Sequence, residues 1–240
     1  MFSGVYTALV TPFSKGKLDE AALKKLIELQ VKGGVDGIVP VGTTGESPTV
    51  DFEEHVRLVE LSVYYAKGRC KIIAGSGANS TEEAVYLTKS AEYAGADGSL
   101  QVCPYYNKPS QAGLYAHFSE IANSTNLPIV LYSIPSRCNV ELEVSTVMRL
   151  AADYPNIVCI KEAGGSGLKE DGIFNNAYIV AKDSSEASRE WIVEFNKSFI
   201  AYYEGTSPAG RTAQFLGGFM DEKHPCGISN RAIFYRHFHC

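Results

Sequence analysis

The sequence predicts a TIM (β/α)8 barrel from two observations, of which the first is also compatible with a doubly wound sheet and the second favours the barrel. Short β-rich segments alternate with helical segments up to about residue 163, and the strands are apolar along their whole length. The turns at residues 34–37 and 95–98 both read Gly-x-Asp-Gly, a repetition that favours a closed barrel over a doubly wound sheet. A chain of 240 residues is long enough for one such domain, which we expect over residues 1–240.

Six β/α steps account for the chain before residue 164. Asp19 is a typical N-cap ahead of the first helix, and Asp51 with Glu54 and Ser80 with Glu83 form capping-box patterns ahead of the next two. The predicted strands are residues 3–10, 37–41, 71–74, 99–103, 128–132 and 157–161. The predicted helices begin near residues 19, 51, 80, 110 and 144, and strands 1–6 are expected to be regular.

The pattern loosens after residue 163. Residues 178–181 are a candidate seventh strand, and residues 227–235 hold a weak candidate for the eighth. Trp191, Phe195 and Phe199 repeat at i, i+4 spacing and indicate a seventh helix. We therefore expect strands 7 and 8 to be divergent or incomplete.

The composition excludes several classes of protein. The net charge is −5 with acidic and basic residues interleaved, so no basic surface for nucleic acid is expected. No apolar stretch of about 18 residues occurs, and the first residues do not follow the pattern of a signal peptide. We expect a cytoplasmic protein without a membrane segment.

The cysteines and histidines do not indicate a metal site. Cys70, Cys103 and Cys159 lie in or beside apolar strand-like segments, where buried free thiols are expected. The tail offers a cluster of possible ligands without the usual zinc spacing, so no metal is predicted. These residues are His224, Cys226, His237, His239 and Cys240.

Lys161, at the end of the sixth predicted strand, is the first candidate for chemistry. In α/β barrels the active site lies at the carboxyl ends of the strands. A lysine there either pairs with a carboxylate, extends to the rim, or acts as a nucleophile. Desolvation inside a barrel would lower its pKa and leave a neutral amine able to attack a carbonyl carbon.

Other polar side chains follow the neighbouring strands. Tyr106 and Tyr132 are either core aromatics or groups that relay protons. Thr43 and Thr44 either shape a glycine-rich turn or bind a small carboxylate, and Arg137 either forms a surface ion pair or holds a second carboxylate. The turn lacks both the Lys-Ser/Thr pair and the dinucleotide spacing, so no nucleotide or other cofactor is expected.

Five motifs taken together resemble the dihydrodipicolinate synthase family of pyruvate-dependent lyases and aldolases. They occur in the family's order and spacing, and the resemblance covers residues 1–166, which leaves residues 167–240 as a divergent tail. The motifs are residues 42–47 (GTTGES), 75–79 (GSGAN), 104–113 (PYYNKPSQAG), 131–137 (LYSIPSR) and 160–163 (IKEA).

The resemblance implies a reaction and roles for its residues. Lys161 would form a Schiff base with pyruvate, and the derived enamine would attack L-aspartate 4-semialdehyde to give 4-hydroxy-tetrahydrodipicolinate, in lysine and diaminopimelate biosynthesis. Thr43, Tyr132 and Tyr106 look like the family's proton relay, with Tyr106 reaching into the site of a neighbouring protomer. Arg137 would bind the semialdehyde carboxylate.

The resemblance also implies a carboxylate site, an assembly and a regulatory site. Thr43 and Thr44 would hold the pyruvate carboxylate, and Gly42 would also bind substrate. The family is typically a homotetramer built as a dimer of dimers and is often inhibited by lysine. Pro48 and Phe52 stand where the most lysine-sensitive members carry other residues, which argues against strong inhibition. The positions matching the lysine site are Ser47, His55, Asn79, Glu83 and Tyr105.

The chain departs from the family pattern at several places. Ser133 and Cys138 replace the usual Asn and Thr, and residues 178–185 only loosely resemble the seventh strand. Lys182 there would direct a cation toward the site, and the C-terminal helical extension is missing. Two alternatives therefore stay open: a lyase or aldolase for N-acetylneuraminate or a 2-keto-3-deoxy sugar acid, and a catalytically impaired homologue with a binding or regulatory role. Arg137 after Pro-Ser favours the semialdehyde over a sugar acid.

Overall fold

The computed structural model describes residue 2, residues 5–163 and residues 177–181, and six parallel strands form the centre of this region. The strands are β1 (Tyr6–Ala8), β2 (Phe13–Ser14), β3 (Lys17–Leu18), β4 (Gly37–Val39), β5 (Lys71–Gly75), β6 (Gly98–Val102), β7 (Ile129–Ser133), β8 (Ile157–Ala163) and β9 (Ala177–Ala181). The helices are α1 (Glu20–Lys32), α2 (Phe52–Ala66), α3 (Thr81–Ala94), α4 (Gln111–Asn123), α5 (Pro135–Cys138) and α6 (Val144–Asp153). The six predicted strands and the five predicted helices are all confirmed.

The strand order decides between the two sheet topologies that the sequence left open. The parallel strands follow one another as β1-β4-β5-β6-β7-β8, each paired with the next along the chain, while β2 and β3 form a separate antiparallel hairpin. A doubly wound sheet reverses its order at a switch point, and this sheet does not. The arrangement is that of the first six strands of a (β/α)8 barrel.

The candidate seventh barrel strand is not confirmed, because β9, which includes its residues, does not run in the direction of a barrel strand. β9 pairs with β8 antiparallel, with Lys161 opposite Ile179. The connection through residues 164–176 is near the minimum of about a dozen residues that a parallel crossover needs, whereas an antiparallel return requires less. The predictions for Lys182, for the seventh helix, for the eighth strand, for the C-terminal extension and for the histidines and cysteines of the tail lie outside the described residues.

Three helix starts confirm the capping signals. The side chains of Asp19 and Asp51 accept hydrogen bonds from the backbone N–H three residues on, at 2.9 and 2.8 Å, and Ser80 does so at 3.4 Å. These contacts satisfy donors that the first turn of a helix leaves without partners. Local sequence therefore determines where these three helices begin.

The described cysteines are buried and form no disulfides, as expected. Cys70, Cys103, Cys138 and Cys159 are each at most 8% exposed and form no disulfide. Among the residues that the structure describes, no three histidine, cysteine or acidic side chains come together as metal ligands. No helix in the described ranges is long and apolar enough to cross a membrane.

His117 predicts a pH-dependent stability. Its Nδ1 lies 2.8 Å from Thr81 Oγ1, its ring is only 5% exposed, and burial lowers its pKa to about 4. In the unfolded chain a histidine binds a proton near pH 6.5, whereas the buried His117 ring stays neutral down to about pH 4. The folded state therefore has its full stability above pH 6.5 and loses stability as the pH falls towards 4. We expect the free energy of unfolding to fall by up to about 3 kcal/mol over this window.

Urea denaturation at pH 7 and pH 4.5 measures this effect. The His117→Gln variant keeps a polar side chain that does not titrate, and we expect it to show a smaller pH dependence. The dependence that remains in the variant includes His55, whose pKa burial also lowers. An equal fall in both proteins would contradict the assignment to His117.

Candidate active site

Three side chains form a row across the sheet. Val102 of β6 pairs in register with Tyr132 of β7, and Tyr132 pairs with Lys161 of β8. Paired residues of neighbouring strands point to the same face of a sheet. The Lys161 amine lies 4.3 Å from the centre of the Tyr132 ring, within range of a cation–π interaction.

A cavity of about 370 Å³ opens at the carboxyl ends of these strands. Its volume suits a small ligand. Tyr132 forms part of its wall and is 4% exposed, and the Lys161 amine lies against the ring of this tyrosine. The other lining residues include Gly42, Thr43, Ser47, Gly75, Gly77, Leu100, Val102, Tyr105, Ile134, Arg137 and Cys138.

The glycine-rich turn is held from two sides. Residues 43–45 form one 3₁₀ turn, closed by the Gly45 N–H donating to the Gly42 carbonyl at 2.9 Å. The buried Thr11 hydroxyl donates to the Gly45 carbonyl at 2.7 Å. The contact spans 34 residues of sequence, and the sequence carries no signal for it. Sequence reasoning missed Thr11 as a support of the turn.

Four of the seven predicted catalytic and substrate residues line the cavity, namely Gly42, Thr43, Tyr132 and Arg137. Lys161 is not a lining residue, but its amine contacts the ring of Tyr132. The other two do not line the cavity. Thr44 is half-buried in the turn, and Tyr106 is 91% exposed in a left-handed backbone conformation.

The residues matched to a lysine site occupy several environments. Ser47 and Tyr105 line the cavity. The pKa of the Tyr105 phenol is raised, mainly by burial and to a smaller extent by the negative charge of Glu83. His55 is buried with Nε2 2.8 Å from the Gly75 carbonyl oxygen, which makes it a support of the β5 end. The Asn79 carbonyl accepts from the Asn107 side chain at 3.1 Å.

Cys138 is a cavity residue that the sequence marked only as a departure from the family pattern. It is 1% exposed, and burial raises the pKa of its thiol to about 11. A thiol with so high a pKa is a poor nucleophile at neutral pH. Cys138 therefore contributes an apolar wall beside Arg137.

A run of parallel strands in chain order, with a small cavity at their carboxyl ends, defines a class of protein, the α/β barrels whose sites lie at this edge. Comparison with known proteins narrows the class. The model of the dihydrodipicolinate synthetase family matches residues 1–177. The chain belongs to this family.

Individual relatives agree with this assignment. The chain is 57% identical over 166 residues to a 4-hydroxy-tetrahydrodipicolinate synthase of Sulfurihydrogenibium sp. (strain YO3AOP1), covering 69% of this chain and 57% of that protein. It is 53% identical over 163 residues to the synthase of Aquifex aeolicus (strain VF5), covering 68% and 55%. The chain thus spans little more than half the length of the curated relatives it matches.

A solved structure gives the same coverage. The 4-hydroxy-tetrahydrodipicolinate synthase from the thermoacidophilic methanotroph Methylacidiphilum fumariolicum SolV superposes with a TM-score of 0.68 at 58% sequence identity. The superposition covers 69% of this chain and 55% of that one. The match supports the half-barrel that β1 to β8 form.

Proposed function

We propose that this protein is a 4-hydroxy-tetrahydrodipicolinate synthase, which condenses pyruvate with L-aspartate 4-semialdehyde. The observation that carries the proposal is the Lys161 amine 4.3 Å from the Tyr132 ring beside a cavity of about 370 Å³. The relatives named 4-hydroxy-tetrahydrodipicolinate synthase support this activity. We further propose a cytoplasmic homotetramer in which residues 1–240 form a single barrel domain.

The first half of the proposed reaction takes place at Lys161. Its amine attacks the C2 carbonyl carbon of pyruvate, and the carbinolamine loses water to form a Schiff base. Tyr132 and Thr43 donate and accept the protons that these two steps require, because both residues line the cavity and carry a hydroxyl group. Thr44 and the turn at Gly42 hold the pyruvate carboxylate by hydroxyl and backbone N–H groups.

The second half forms the carbon–carbon bond. Loss of a C3 proton converts the Schiff base into an enamine, whose C3 attacks the aldehyde carbon of the second substrate. Arg137 lines the cavity and suits the carboxylate of that substrate, because a guanidinium presents two parallel donors. Attack of the substrate amine on the Schiff-base carbon then closes the ring and releases Lys161. Tyr106, which is highly exposed, would complete the proton relay in a neighbouring protomer.

Two alternative functions are supported by fewer observations. A sugar-acid lyase would use the same lysine and tyrosine, but Arg137 at the cavity wall favours a second carboxylate substrate. An impaired homologue is compatible with the antiparallel β9, which occupies the edge of β8 where a seventh barrel strand would pair. A lysine-inhibitor site at Ser47, His55, Asn79, Glu83 and Tyr105 stays a prediction.

Trapping with borohydride tests the proposal. The full chain is incubated with pyruvate and borohydride, digested, and mapped by mass spectrometry, and we expect a reduced pyruvyl adduct on Lys161. Two assays then distinguish the enzyme functions: the synthase condenses pyruvate with aspartate semialdehyde, and the sugar-acid lyase cleaves N-acetylneuraminate. A folded protein that forms no adduct would exclude both of them.

A further inference from the structure

The side chain of Gln111, at the start of α4, is hydrogen-bonded to the segment that follows Arg137. Its Nε2 donates to the Glu141 carbonyl at 2.8 Å. Its Oε1 accepts from the Thr146 hydroxyl at 2.7 Å and from the Glu143 N–H at 3.2 Å. Both ends of the amide are therefore engaged by one short segment, residues 141–146.

The bridged segment is the one that connects Arg137 to α6. Arg137 lies on α5, the chain then turns at Asn139 in a left-handed conformation, and α6 begins after Glu143. The side chain of Glu143 does not cap α6, and Gln111 Oε1 accepts the N–H of that residue instead. The start of α6 is thus held by a side chain from α4.

The same segment is anchored to the sheet next to the reacting residues. The Leu142 N–H donates to Ser133 Oγ at 3.4 Å, and Leu142 is only 5% exposed. Ser133 follows Tyr132 directly on β7. Three consecutive residues, 141 to 143, are therefore fixed by contacts from two sides. This leaves the short α5 little freedom to move away from the cavity.

Gln111 also ends the loop that follows β6. That loop carries Tyr105, which lines the cavity, and Tyr106. The amide of Gln111 therefore ties the tyrosine-bearing loop to the arginine-bearing segment. Gln111 lies within the motif at residues 104–113.

We propose that Gln111 is a positioning residue that holds Arg137 at the cavity wall and thereby sets the affinity for the second, carboxylate-bearing substrate. This inference rests on the proposed function. Gln111 acts through the segment after Arg137, so its loss affects the step that uses Arg137 and not the condensation of pyruvate with Lys161. The effect is expected in the KM for aspartate semialdehyde.

Two variants test the contact. Gln111→Met keeps the length of the side chain and removes every hydrogen bond, and we expect it to raise the KM for aspartate semialdehyde about tenfold, the order expected when hydrogen bonds that fix one binding group are lost. The KM for pyruvate and the yield of the borohydride-trapped adduct should change less than about twofold. Gln111→Glu keeps the acceptor for Glu143 and Thr146, and we expect a smaller rise.

A matched control uses an amide at the opposite end of the strands. Asn156, just before β8, donates to the carbonyls of Ala122 and Thr125 at 2.9 and 3.0 Å and so also bridges loops. Asn156→Ala removes a comparable clamp far from Arg137, and we expect the ratio of the two KM values to stay at the wild-type level.

A double-mutant cycle identifies the path of the effect. In an Arg137→Ala background, Gln111→Met should raise the semialdehyde KM no further, because the group that it positions is absent. Equal rises of both KM values, or an undiminished rise in that background, would overturn the proposal while the wild type still forms its adduct. A wild type without adduct overturns the proposed function instead. If Gln111→Met fails to fold, the two KM values are measured in Gln111→Glu instead, and the same outcomes support or overturn the proposal.

Discussion

Replacement of Lys161 by arginine is expected to abolish the pyruvyl adduct and to lower turnover by at least about 10⁴-fold, or more than about 5 kcal/mol of transition-state stabilisation. Arginine keeps a cation against the Tyr132 ring, so the contact at 4.3 Å has a substitute and folding should persist. A guanidinium stays protonated at neutral pH and has no lone pair for attack on a carbonyl. Borohydride trapping and steady-state turnover measure both effects.

The Tyr132→Phe variant is the matched comparison. It keeps the aromatic ring beside Lys161 and removes only the hydroxyl. We expect it to form the adduct at equilibrium and to turn over about 10²- to 10⁴-fold more slowly, the range typical of a lost general acid–base group. An adduct that persists at an undiminished level in Lys161→Arg would assign the nucleophile to a different lysine.

The second large effect is expected on stability, from Gly75→Ala. A Cβ at Gly75 would lie 2.7 Å from the Gly42 nitrogen and closer still to the Val41 carbonyl group. The obstacles are backbone atoms of the turn that precedes Thr43, and Val41 itself has a left-handed φ of 52°. Because backbone cannot move aside as a flexible side chain can, we expect a loss of about 3 kcal/mol or more in the free energy of unfolding.

Urea denaturation at neutral pH measures this loss, and Gly42→Ala is the control. A Cβ at Gly42 would lie 3.6 Å from Val39 Cγ1, an ordinary van der Waals contact, and the φ of Gly42 is −82°. We expect its stability to change by less than about 1 kcal/mol. Similar losses in the two variants would show that the packing of β5 against the turn is not the cause.

The turn at Gly42 is held in place by close contacts from several sides. The end of β5 touches the turn so closely that only hydrogen fits at Gly75, and the His55 ring holds the Gly75 carbonyl from the other side. Thr11 holds the turn at Gly45. The turn that we propose to bind the pyruvate carboxylate is therefore held rigidly, and rigidity of this kind preorganises a site for a small anion.

The sequence predicted those site residues whose positions follow from the periodicity of the strands. Tyr132 and Lys161 end neighbouring apolar strands, and parallel strands bring their carboxyl ends to one edge. The helix starts at Asp19, Asp51 and Ser80 were predictable for a similar reason, because capping is a contact over three residues of sequence. Motif order then identified the family.

Long-range contacts could not be predicted in this way. The clamp of Gln111 on residues 141–146 joins positions about 30 apart, and the support of the turn by Thr11 spans 34 residues. Such pairs depend on which helices and loops become neighbours, and no local pattern encodes that choice. The use of His55 as a buried support for Gly75 is of the same kind.

The sequence by itself determined the alternation of strands and helices, the family, and the nucleophile expected at Lys161. These depend on apolar periodicity and on motifs within a few residues of one another. Only the tertiary structure decided that the six strands follow one another without a switch point, that β9 runs antiparallel to β8, and that Tyr106 stands outside the cavity while Arg137 lines it. Strand order and direction depend on pairing between distant segments, since each strand presents the same backbone donors and acceptors to either partner.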